Sequence, residues 1–185
     1  MPKTRPFRQR DLMSTLPKSF GLFREGICRS LVAQWLAAQG HFRRTAFGKA
    51  NSAQAWRDAD EVILRDMNEE RVDMLKLHVV AHVSSHRFEL NQFMQMSELL
   101  ATGGGFYLAL RDPTSGAGHA LGVYVNGEKW RLFDPNEASH SGQRSDVLNR
   151  LATALAAYAK GEPAPLVNGE PAWRLTQWEV EEVLV

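Results

Sequence analysis

The hydrophobic period of this chain changes at Gly103-Gly104-Gly105, and that change limits the fold more than any other feature. Ahead of the glycines, apolar residues recur at helical spacing. Cys28, Leu31, Val32, Trp35 and Leu36 fall at i, i+3, i+4, i+7 and i+8 between Gly26 and Gly40. Trp56, Val62, Ile63 and Met67 predict a helix over 52–67. Val72, Leu75, Val79 and Val83 predict one over 69–88, and 90–100 reads as a further helical segment. Behind the glycines the pattern turns into short apolar runs. Residues 106–110 form the first, 112–116 a turn, and 118–125 the second. Asn126-Gly127 is a hairpin signal, and 129–134 returns from it. An Ala/Leu-rich helix over 145–160, a Pro/Gly loop over 161–171 and a last strand over 173–185 complete the chain. Helices followed by an antiparallel sheet place the protein in the α+β class.

Charge narrows the function. The 185 residues carry 22 basic and 21 acidic side chains, and the basic ones concentrate only in Lys3, Arg5, Arg8 and Arg10. A short basic arm is not a basic face, so nucleic acid is not the expected partner. One cysteine cannot form an internal disulfide, which points to folding in the cytoplasm of the producing cell. No run approaches the eighteen or so apolar residues of a membrane span, and no apolar stretch follows the N-terminal charges. Residues 1–20, with Pro2, Pro6 and Pro17, read as an arm that is flexible or packed across the domain, or as the cut end of a longer chain; 21–185 reads as one domain.

The chemistry concentrates in three residues. Cys28 stands at the start of its helix, where free backbone N–H groups and the positive end of the macrodipole favour a thiolate. As a small apolar side chain it could equally serve the core. His119 interrupts the apolar run of the second strand, and Asp134 ends the strand folded back beside it. Counting from the turn, Val125 is expected opposite about Glu128, and His119 opposite a residue close to Asp134. A carboxylate on one ring nitrogen fixes the tautomer, and the imidazolium then supports a thiolate. A structural His–Asp pair is the alternative.

Gly26-Ile27-Cys28 before a Trp-containing helix, His119-Ala120 within a strand and Leu132-Phe133-Asp134-Pro135-Asn136, at spacings of 91 and 15 residues, resemble the YopT/AvrPphB-type cysteine proteases. The resemblance covers about residues 20–140. It implies a papain-like fold, with N-terminal helices packed on a C-terminal antiparallel sheet. It also implies a bacterial effector or toxin that a specialised secretion system delivers into a target cell. Cys28 becomes the nucleophile, His119 the general base and acid, and Asp134 the orienting acid; the partners implied are a protein substrate and an immunity or inhibitor protein. One departure stands out. Papain-like enzymes place an amide side chain five or six residues before the cysteine to complete the oxyanion hole, and here those positions hold Phe23 and Leu22. The Cys28 backbone N–H is one donor, and Arg24 and Gln34 are the nearest polar candidates for another. Deamidation or acyl transfer by the same triad, and a non-catalytic binding module, are the competing functions.

No cofactor or metal is expected. His78, His82 and His86 recur every four residues, as a stripe on a helix would, but without a further ligand at matched spacing. The triple glycine precedes a strand instead of opening a helix, so it is not a phosphate loop.

Overall fold

The computed structural model describes residues 2–6, 28–37, 39, 81–162 and 164–184. The elements in chain order are β1 (Lys3–Pro6), α1 (Cys28–Ala37), β2 (Ala81–Glu89), a 3-10 turn (Leu90–Gln92), α2 (Phe93–Leu100), β3 (Gly104–Arg111), β4 (Gly118–Asn126), β5 (Lys129–Asp134), β6 (Ala138–Gly142), α3 (Arg144–Lys160), β7 (Leu166–Val167), β8 (Glu170–Pro171) and β9 (Gln177–Leu184). Seven strands form one antiparallel sheet in the order β1-β6-β5-β4-β3-β9-β2, and β7 and β8 form a small separate hairpin.

Several expectations change. The sheet is not confined to the C-terminal half, because β1 and β2 supply its two edges. Of the expected helix over 69–88, residues 81–88 belong to β2, and the remainder lies outside the described residues, as does the helix expected over 52–67. β2 pairs with β9 along its length, and Val83, which completed the helical pattern, is exposed. Cross-strand pairing overrides a periodicity that only one residue of this segment carried. The His82/His86 spacing therefore spans about 13 Å of extended chain instead of one helical turn, and the helical stripe does not exist there. β6 was not expected, since Ala-Ser-His-Ser-Gly has no apolar alternation, and β7 and β8 fall within the expected loop. The N-terminal arm is packed at Lys3–Pro6: β1 lies along β6, where Thr4 Oγ1 and His140 Nδ1 are 3.0 Å apart.

The helices cover both faces of the sheet. On one face lies α1, where Cys28, Leu31, Val32, Trp35 and Leu36 of the helical stripe are all buried, together with Ala33. Trp35 stacks on Phe133 of β5 at a centroid distance of 5.5 Å, and it reaches the sheet because β4 has no side chain at Gly122. A Cβ there would lie 2.9 Å from Cε3 of Trp35 and 3.2 Å from Cγ1 of Val32. Just beyond the helix, the Gln39 carbonyl accepts a hydrogen bond from Arg131 Nη1 of β5 at 3.0 Å, which fixes the C-terminal end of α1. The opposite face carries the larger apolar cluster. Phe106, Leu108, Leu121, Val123, Trp130, Leu132 and Trp178 of the sheet pack with Met96 and Leu100 of α2 and with Val147, Leu151, Leu155 and Tyr158 of α3. α3 ends at Gly161, whose φ of 88° is left-handed and whose Cβ, if present, would overlap the Pro171 ring.

Candidate active site

The three chemically interesting residues converge from two faces. His119, second residue of β4, and Asp134, last of β5, belong to the face covered by α3, whereas Cys28 opens α1 on the other. The β4–β5 ladder runs only from Asn126↔Lys129 to Gly122↔Phe133. Beyond it, residues 118–121 keep β3 as a ladder partner but not β5. At this rim of the sheet the thiol of one face comes close enough to the imidazole of the other for the two side chains to interact.

The register corrects the hairpin count. The turn residues are Gly127 and Glu128, not Asn126 and Gly127, so Val125 faces Trp130 instead of about Glu128. Continued past its last pair, that register sets His119 level with Asn136 and makes Asp134 its diagonal neighbour on the same face. Such diagonal pairs remain within reach of long or ring side chains. Nε2 of His119 lies 2.9 Å from Oδ1 of Asp134, leaving the other ring nitrogen for the thiol.

The environment charges this array. Cys28, His119 and Asp134 are 5%, 7% and 2% exposed. Burial alone pushes the His119 imidazole down, but the negative charge on Cys28 and the hydrogen bond to Asp134 outweigh it, and the ring is pushed up to about 10. A raised imidazole between Cys28 and the Asp134 carboxylate favours the imidazolium, and the imidazolium in turn favours the thiolate. Burial pushes Asp134 the other way, toward protonation. The hydrogen bond and charge of His119 prevail, helped by the Asn136 backbone N–H at 2.8 Å and the Tyr158 hydroxyl, and hold the carboxyl below its ordinary range.

Tyr158 and Asn136 belong to the site as well, and the sequence reading did not include them among its functional residues. Tyr158 Oη lies 3.1 Å from Oδ1 and 2.9 Å from Oδ2 of Asp134, and its ring centroid is 4.8 Å from that of His119. Burial, followed by the neighbouring carboxylate, raises the phenol, so it keeps its proton and donates. Asn136 Nδ2 donates to Tyr158 Oη at 3.1 Å. The sequence signal was present but faint: Val147, Leu151, Leu155 and Tyr158 form one apolar stripe, and its last member has a polar tip.

Of the expected oxyanion donors, the Cys28 backbone N–H lies in the first turn of α1, where helix geometry leaves N–H groups without an intrahelical acceptor. Gln34 lies six residues further on, about 9 Å along the helix axis, and Arg24 lies outside the described residues. Among the described residues no group of three His, Cys, Asp or Glu side chains is placed to hold a metal ion.

Thiol, imidazole and carboxylate thus meet where the start of α1 lies against the rim of the antiparallel sheet, the residue types that a nucleophilic thiol with a base and an orienting acid requires. No protein-family profile and no curated protein matches the sequence. Among solved structures, the crystal structure of the Pseudomonas avirulence protein AvrPphB shares the fold, with a TM-score of 0.63 at 15% identity, covering 94% of this chain and 100% of that chain.

Proposed function

We propose that this protein is a cysteine endopeptidase of the bacterial effector kind, which cleaves a specific protein through Cys28, His119 and Asp134. The observation that carries the reading is the buried series Cys28–His119–Asp134, in which Nε2 of His119 lies 2.9 Å from Oδ1 of Asp134 and the charge of Cys28 and the hydrogen bond of Asp134 raise the imidazole. Cys28 Sγ attacks the scissile carbonyl carbon, and the oxyanion so formed faces the N–H groups of the first turn of α1, the Cys28 backbone N–H among them. His119 then gives its thiol-side proton to the departing amine, the C–N bond breaks, and an acyl thioester remains. In the second half the neutral imidazole takes a proton from water, the hydroxide bonds to the thioester carbonyl carbon, the C–S bond breaks to release the acyl fragment as its carboxylic acid, and thiolate and imidazolium are restored. Asp134 stays ionised throughout and holds the ring through Nε2. The effector part of the proposal is supported by the shared fold with an avirulence protein and by the three short motifs of the sequence.

The test compares the proteomes of target cells expressing wild type or Cys28→Ala. New protein N-termini that depend on Cys28 are the expected result. Glutamines converted to glutamate without chain cleavage would replace proteolysis by deamidation, and identical proteomes with an unreactive Cys28 would leave a binding module.

A further inference from the structure

The face of the sheet behind the site holds a phenol that donates to both carboxylate oxygens of Asp134. We infer that Tyr158 is a positioning residue, whose hydroxyl keeps the Asp134 carboxylate ionised and aimed at His119; the inference rests on the thiol-enzyme reading above. Its direction follows from donor chemistry. A side-chain amide nitrogen can only donate, so Asn136 Nδ2, 3.1 Å away, occupies a lone pair of Tyr158 Oη. The phenol proton is thereby left to Asp134, whose Oδ1 and Oδ2 are 3.1 and 2.9 Å from it.

The two carboxylate oxygens are served unequally. Oδ1 also receives Nε2 of His119 at 2.9 Å and the Asn136 backbone N–H at 2.8 Å. Among the described residues Oδ2 has Tyr158 alone. Removal of the hydroxyl leaves that oxygen of a buried anion without a donor, which favours protonation of the carboxyl. A neutral Asp134 supports the imidazolium less, and the thiolate is lost with it. Tyr158 is well anchored for the task. Its carbonyl accepts the backbone N–H groups of Gly161 and Leu175, each at 3.0 Å, and its ring lies against His119. Thus α3, which contributes no reacting atom, governs the protonation of a residue on β5.

The experiment follows alkylation of Cys28 by iodoacetamide from pH 4 to pH 9 in wild type, Tyr158→Phe and His119→Ala. Tyr158→Phe keeps the ring and loses only the hydroxyl. Its acidic limb is expected to move up by about one pH unit, so that labelling slows by up to about tenfold on the limb itself and is unchanged on the plateau above it. A second variant with 3-fluorotyrosine at position 158 keeps the hydroxyl as a stronger donor, and its limb should move the opposite way. In an Asp134→Asn background, Tyr158→Phe should no longer move the limb. If wild type and His119→Ala differ in profile while both Tyr158 variants overlay the wild type, the hydroxyl is only packing and the inference is overturned. If wild type and His119→Ala themselves overlay, the thiol-enzyme reading fails, and the role of Tyr158 fails with it.

Discussion

The two faces of the sheet are built on different terms. The α1 face is held by shape: an indole rests in the space left by a missing side chain at Gly122, against Phe133, with no ionisable group in that contact. The α3 face combines a larger apolar cluster with a polar tip, in which Tyr158 completes an apolar stripe and hydrogen-bonds to Asp134. Cys28 belongs to the first face, His119 and Asp134 to the second. Keeping them on separate packing units lets each unit be tight by its own means. The array then forms only at the rim, where the β4–β5 ladder has ended. Perturbing either face should consequently leave a distinct signature, one in packing and the other in protonation.

The strongest way to break this arrangement is at the rim itself. Cys28→Ala and His119→Ala should each lower the rate of substrate cleavage by about 10^6, because the residues act as one unit, and the double variant should lose no more. Asp134→Asn should cost about 10^4, since the imidazole remains but its tautomer and charge are no longer favoured. The rate of appearance of the new N-terminus, measured for all four variants, checks this order. Additive losses in the double variant would mean that thiol and imidazole do not share a mechanism.

The next largest effect tests shape on the α1 face. Trp35→Ala should cost about 3–5 kcal/mol of folding stability, for the indole is fully buried between Gly122 and Phe133. Gly122→Ala should cost about 1–3 kcal/mol through overlap with the indole. The two losses should not add, because in the double variant the new methyl group faces the space that the indole has left. Urea unfolding of the four proteins at one pH measures this coupling. A strictly additive pair would place Trp35 elsewhere.

What the sequence disclosed and what it concealed follows the same division. The α1 face was legible because its stripe is periodic, and every residue of the expected set, from Cys28 to Leu36, is buried. The hairpin was legible from turn chemistry, which brought His119 and Asp134 together although the turn sits one residue later than expected. β2 was misread because its Val and Phe are spaced ambiguously and only its partner β9 decides its conformation. β1 and β6 depend on each other and on no pattern of their own. Tyr158 could not be placed at Asp134 from the sequence, because their contact joins residues 24 positions apart through the orientation of α3, which local periodicity does not specify.

The smallest expected effect sharpens the contrast in protonation. His119 has its folded value raised from 6.5 to about 10, so taken alone its contribution to stability is complete below pH 6.5 and is lost as pH rises toward 10. In the proposed thiolate form Cys28 works in the opposite sense, because its proton is already released in the fold, whereas an unfolded thiol releases it only near pH 8.5. Between about pH 6.5 and 8.5 both states thus hold one proton on the pair, and the two slopes cancel. Above about pH 8.5 the unfolded pair holds none while the folded pair still holds one, and stability should fall by about 2 kcal/mol by pH 10. The reference is Cys28→Ser/His119→Gln, which removes both titrations and keeps a donor for Asp134. The stability difference between wild type and this variant, followed by urea unfolding from pH 6 to 10, should be level and then decline. The loss caused by Trp35→Ala should not change over the same range, since no ionisable group takes part. A difference that stayed level to pH 10 would mean ordinary pKa values for both groups. A decline beginning at pH 6.5 would mean an imidazolium without a thiolate partner, and the nucleophile assignment would have to be abandoned.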